Sequence, residues 1–160
     1  MDSTVERLSK GQRTQRKILD QAQHLFARHG YDGTTLRQIA KATGIQEPGL
    51  YNHFAGKQAL YEAVLQRALQ PMADAMATQM REATDLRDYT ELPGVMTDLL
   101  HEHPEMASLF QQALHGDPDS TGVILVQRWL DRLLSQGLEG VQGGTFKRDH
   151  RDRGISNELK

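Results

Sequence analysis

Between Arg13 and His29 the apolar residues Ile18, Leu19, Ala22, Leu25 and Phe26 recur at i, i+1, i+4, i+7 and i+8, and Gly30 follows directly. That spacing gathers the apolar side chains into one stripe of a 3.6-residue helix, and the glycine offers the left-handed stop that ends it. A striped helix has to bury its stripe against other elements. Composition says of which kind: 20 Leu and 14 Ala favour helices, against 6 Val and 5 Ile that favour strands. The expected fold class is all-α.

With 160 residues, the chain is one ordinary domain or two small ones sharing a helix, large enough to bury about 68 to 70% of its unfolded surface. The absence of cysteine excludes disulfides, thiolate metal sites, iron–sulfur clusters and cysteine nucleophiles, and suits a reducing compartment. No apolar run approaches the ~18 residues of a membrane helix, and Met1 to Gly11 lacks the apolar core of a secretory signal. The expectation is a soluble, cytoplasmic protein with no membrane partner.

Net charge is −2 but unevenly spread. Residues 1–57 hold nine Lys/Arg and five Asp/Glu, whereas residues 58–160 hold ten and sixteen. Opposite signs of this kind suggest an N-terminal module that meets an anion such as DNA and a body that does not, although two solvated faces would look the same.

Further elements follow the same punctuation. Thr35 and Gln38 have the spacing of a capping box, with Leu36, Ile39 and Ala40 as an inner face and Gly44 as the stop. A third helix opens at Glu47, a mediocre cap, with Pro48 at its first position, Leu50 and Phe54 inward and Tyr51, Asn52 and His53 turned partly outward. A fourth begins near Lys57 and continues through Met80, with Pro71 expected to kink or split it. Pro93–His103 and Pro104–His115 read as short helices. Gly122–Leu138 is the most apolar segment; its Val-Ile-Leu-Val start would suit a strand, but its length and later periodicity favour a helix. Residues 144–160 carry few apolar side chains and are expected to form a loop or disordered tail.

Helix, helix, tight turn, helix is the order of a helix-turn-helix. Ala40 must be small where the next helix crosses, Gly44 permits the turn's positive φ, and Ile45 plugs the core. The stretches Thr34-Thr-Leu-Arg-Gln-Ile-Ala-Lys-Ala-Thr-Gly-Ile, Pro48-Gly-Leu-Tyr-Asn-His-Phe and Lys57-Gln-Ala-Leu resemble, over about Arg13 to Leu65, the N-terminal domain of the tetracycline-repressor (TetR) family of bacterial transcriptional regulators. The resemblance implies a helix-turn-helix domain over residues 1–56, a helical regulatory domain over 57–142 and a tail over 143–160. It further implies a homodimer on a near-palindromic double-stranded operator, a small-molecule effector, and repression as the usual outcome.

Site residues follow from chemistry and from the family pattern together. Thr35, at a helix start, and Lys57, at another, suit DNA phosphates; the family pattern gives Tyr51 and His53 backbone contacts as well. Arg37, Gln46, Glu47 and Asn52 suit base edges, while Pro48 opens the 46–54 recognition helix and Gly49 lets its backbone approach the groove floor. Each of these has an ordinary structural reading too: a cap, a packing residue, a solvated charge.

In the body, Met72, Met76, Met96, Phe110, Trp129 and His103 form the candidate ligand set, because methionine adapts to varied apolar ligands, although the same residues suit an ordinary core. His101, His103 and His115 with Asp98, Glu102 and Glu105 read as solvated faces, so neither metal nor other cofactor is expected. No nucleophile elbow, His-Glu-x-x-His or phosphate-binding glycine loop stands out, and no enzyme is expected. Family members usually continue for tens of residues past a turn like Gly144-Thr-Phe-Lys-Arg-Asp. Two functions therefore stay open: a ligand-responsive repressor whose Val123–Leu138 helix carries the dimer interface, or a small-molecule-binding module with impaired dimerisation and no productive DNA binding.

Overall fold

The computed structural model describes residues 7–83 and 90–143, with side chains to Ser135. The described residues form seven helices: α1 (Lys10–His29), α2 (Leu36–Thr43), α3 (Glu47–Leu50), α4 (Lys57–Glu82), α5 (Leu92–Glu102), α6 (Pro104–His115) and α7 (Thr121–Gly143). The all-α expectation holds, and α7, strand-like start included, is helical from Thr121.

α1 starts at Lys10 rather than Arg13, because Ser9 and Gln12 make a reciprocal capping box: the Gln12 N–H donates to Ser9 Oγ and the Ser9 N–H donates to Gln12 Oε1. Its stripe is buried as expected, with Ile18, Ala22 and Phe26 wholly enclosed. At its other end Gly30 has φ 76 and its N–H donates to the Phe26 carbonyl. Thr34 is the one buried polar residue among those described; its hydroxyl is shared between the carbonyls of Gly30 and Leu25, at 2.8 and 3.2 Å, which pins the α1–α2 connection to α1.

The α2 capping box is present at Thr35 and Gln38. α2 then closes in a Schellman arrangement: the Gly44 N–H donates to the Lys41 carbonyl and the Ile45 N–H to the Ala40 carbonyl, with Gly44 left-handed at φ 79, ψ 28. Ala40 is buried and Ile45 packs against the core.

Four features of α3, α4 and α7 correct the sequence reading. Gln46, not Glu47, is the N-cap of α3, so Glu47 is its first residue and Pro48 its second. Regular α3 is shorter than the 46–54 recognition helix expected: it ends at Leu50, and residues 51–53 continue as a turn in which the His53 and Phe54 N–H groups both donate to the Leu50 carbonyl. Pro71 does not split α4, which runs as one 26-residue helix. Packing by α1 on one side and α7 on the other outweighs the single hydrogen bond a proline removes. α7 runs to Gly143, past the Leu138 end expected, since a helical glycine costs only about 1 kcal/mol relative to alanine and does not by itself end a helix. The 144–160 tail lies outside the described residues.

One continuous core joins these helices. Ile18, Phe26, Ile39, Leu50 and Phe54 from α1 to the end of the α3 turn meet Leu60, Tyr61, Val64, Leu65 and Leu69 of α4, which in turn meet Met106 and Leu109 of α6 and Leu125 and Val126 of α7.

Candidate nucleic-acid interface

A helix leaves its first N–H groups without intrahelical partners and carries a partial positive charge there. At α2 the capping box satisfies Thr35 and Gln38, leaving the N–H groups of Leu36 and Arg37 with no partner among the described residues. At α4 the N-cap is Gly56, no side chain caps, and the first N–H to find a partner is that of Leu60, bonded to the Gly56 carbonyl. Neither helix has an acid in its first turn. Two open, electropositive helix starts therefore flank α3.

Between them the surface is polar and accessible. Thr35, Arg37, Gln46, Pro48, Tyr51 and Asn52 are exposed, and Glu47, Gly49, His53 and Lys57 are half-buried. Tyr51 stands out as an aromatic ring 52% exposed, a position the protein's own packing does not require. Gly49 has an ordinary backbone, and a Cβ placed on it would meet nothing within 4 Å. The protein itself therefore does not demand glycine there, whereas a surface approaching α3 from outside would. Exposed Lys10, Arg13, Arg16 and Lys17 on α1 add basic charge whose only sequence signal was the charge excess of the N-terminal third.

Lys57 has company that its sequence position did not announce. Its Nζ lies 4.3 Å from the ring centroid of Tyr31, in the α1–α2 connection. Burial lowers the Lys57 pKa from its ordinary value while the Asp32 carboxylate opposes that; burial, then Asp32 and Glu62, raise the Tyr31 pKa. Tyr31 in turn stacks on Phe26 and meets Tyr61 edge-on, at centroid distances of 6.1 and 5.0 Å.

The candidate ligand residues are dispersed. Met72 is buried in the core, and Met76, Met96 and Phe110 pack against it. His103, exposed, borders a cleft of about 430 Å³ with Gln23, Arg67 and Glu105. Trp129 borders another, of about 500 Å³, between α4 and α7, with Ala63, Gln66, Arg132 and Leu133. Periodicity assigns a residue to a helix face but not to a particular neighbour, which is why the set looked like one pocket. Among the described residues no three His, Asp or Glu side chains stand close enough to hold a metal.

Comparison with known proteins bears on the same segment. Residues 18–64 match the family model described as bacterial regulatory proteins, tetR family. The biofilm operon icaADBC HTH-type negative transcriptional regulator IcaR of Staphylococcus aureus is 52% identical over 46 residues, 29% of this chain and 25% of IcaR. The HTH-type transcriptional repressor ComR of Escherichia coli K12 is 40% identical over 62 residues, 39% of this chain and 30% of ComR. The match thus spans about a quarter to a third of those relatives. Among solved structures, the fatty acid degradation regulator FadR of Bacillus halodurans is similar over 83% of this chain and 74% of its own, with TM-score 0.55 and 26% identity. Residues 18–64 thus match the tetR family of bacterial regulatory proteins, and the helical architecture around them is similar to that of the Bacillus halodurans regulator.

Proposed function

We propose that the chain is a DNA-binding transcriptional regulator, acting as a repressor, that docks α3 and the turn after it in the major groove. The observation that carries this reading is the pair of open helix starts at Thr35 and Lys57, without acids, on either side of an exposed α3. Two phosphates received there would fix register, with Tyr51 and His53 adding backbone contacts. Arg37, Gln46, Glu47 and Asn52 are then the side chains within reach of base edges, Arg37 suiting guanine, Gln46 and Asn52 adenine, and Glu47 the cytosine amino group.

A homodimer on a near-palindrome is the assembly this reading requires, with recognition elements about 34 Å apart or a multiple of that. A small-molecule effector in the body is part of the proposal. The cleft between α4 and α7 under Trp129 supports it, since about 500 Å³ suits a small organic ligand and α4 runs directly from that cleft to Lys57. The names of two relatives, a negative transcriptional regulator and a transcriptional repressor, agree with repression.

Selection of duplexes from a random library at about 0.15 M salt, with the stoichiometry of the complex recorded, tests the reading. An enriched palindrome bound by two chains is the expected result. Undiminished affinity after Tyr51→Ala and Lys57→Ala together would overturn it, because each lost phosphate contact lowers the salt dependence of binding by about 0.9 in log–log slope.

A further inference from the structure

Resting on the proposed DNA reading, we infer that Tyr31 is a positioning residue for the phosphate lysine Lys57, and that the start of α7 sets the position of Tyr31 through Gly122. The chain of contacts is short. Tyr31 presents one face to the Lys57 ammonium at 4.3 Å. Its other surroundings are the Phe26 and Tyr61 rings, which themselves meet edge-on at 4.8 Å, so the three rings form a closed triangle. Gly122, the second residue of α7, completes the enclosure: a Cβ built on it would fall 2.8 Å from the Tyr31 Cβ and 3.6 Å from the ring's first carbon.

Physical chemistry gives each contact a consequence. A lysine side chain carries about 2 kcal/mol of rotamer entropy, which a phosphate contact must overcome. An aromatic face that already holds the ammonium removes part of that cost, and it leaves the ammonium's remaining N–H donors free for an anion on the far side. Tyr31 is half-buried and is backed on one side by Phe26 and Tyr61, which are fully enclosed and leave it no room to move inward. What can displace it is the N-terminus of α7, which belongs to the body and borders, with Tyr31, Tyr61 and Gln112, a cleft of about 250 Å³. Any movement of α7 along its axis therefore reaches the DNA-facing lysine through one ring. Besides the direct run of α4, this gives α7 a second route to Lys57.

Gly122→Ala tests this by pushing on Tyr31 from the body side without touching the DNA-facing surface. The probe is a short mixed-sequence DNA duplex, titrated between 50 and 200 mM salt with the full chain. The expected result is a two- to fivefold loss of affinity, about what a partly exposed cation–π contact is worth, in the wild-type background and no further loss in a Lys57→Ala background. Tyr31→Leu should behave like Gly122→Ala, whereas Tyr31→Phe, which keeps the ring, should bind as wild type. The ring-current upfield shift of the Lys57 ε-methylene protons gives a readout independent of DNA; it should vanish in Tyr31→Leu and shrink in Gly122→Ala. Unchanged affinity in folded Gly122→Ala and Tyr31→Leu overturns the inference, as does an equal loss with and without Lys57. A wild-type chain with no salt-dependent affinity for the duplex overturns the DNA reading, and the inference with it.

Discussion

The side-chain amide of Gln112, on α6, donates to the main-chain carbonyl of Ala27, 2.8 Å away, and also to that of Phe26 at 3.2 Å. A side chain of α6 thus closes the C-terminal end of α1. The Phe26 carbonyl also receives the Gly30 N–H, so Ala27 is the group that depends on Gln112. Gln112→Ala should cost about 1–2 kcal/mol, the penalty of a half-buried carbonyl left unpaired, and lower Tm by roughly 2–4 °C per kcal/mol. Gln112→Glu should cost more at neutral pH, since it sets a carboxylate against two carbonyl oxygens. Thermal unfolding followed by circular dichroism checks both.

Gly44 and Gly49 should respond oppositely to alanine. Both have open space where a Cβ would go, but Gly44 holds φ 79 whereas Gly49 does not have a positive φ. Gly44→Ala should destabilise by about 1–2 kcal/mol, the cost of a left-handed L-residue. Gly49→Ala should be neutral or stabilise by up to about 1 kcal/mol and still weaken DNA binding, because the new methyl stands where the groove floor is expected. Denaturant unfolding beside DNA titration separates the two effects.

Tyr61 makes stability fall in alkali. Burial, with a smaller contribution from Tyr31, pushes its pKa up to about 12. An unfolded tyrosine titrates near 10, so the folded state holds the proton more tightly. The resulting stability is complete below pH ~10 and is lost as pH rises towards ~12, roughly 2–3 kcal/mol in all. Tyr61→Phe removes the ionisable hydroxyl and should show a shallower loss between those pH values.

Thr35 should matter twice. Thr35→Ala removes the oxygen that accepts the Gln38 N–H and should cost about 1 kcal/mol of stability. Thr35→Ser keeps the cap and should restore both stability and affinity for a duplex. A variant that recovers stability without affinity would assign the methyl group, not the hydroxyl, to the DNA contact.

How far the sequence reached can be seen element by element. The α1 stripe, the α2 capping box and the Gly44 stop were legible because each rests on residues within four positions of one another, the range over which helix periodicity and capping act. The Ser9 box is equally local, but it lies ahead of the apolar stripe that marks the helix in the sequence. The start of α3 was read one residue late, since glutamine is a weak cap and a proline fits either of the first two helical positions. The continuity of α4 through Pro71 could not be read locally at all: it depends on α1 and α7 packed along it.

The polar candidates from Thr35 to Lys57 could be named from the sequence because they lie on one short stretch of the chain. By itself the sequence determined the α1 stripe, the α2 capping box, the Gly44 stop and the polar stretch between Thr35 and Lys57. Tertiary structure alone decided that Tyr31 lies beneath Lys57, that Gly122 backs Tyr31, that Gln112 closes α1, and that Met72 belongs to the core while Trp129 and His103 border separate clefts. The reason is physical: caps and stripes are fixed by hydrogen bonds and rotamers a turn apart. Contacts between Tyr31 and Gly122 span 91 positions, and nothing local specifies them until α4, α6 and α7 have packed into one core.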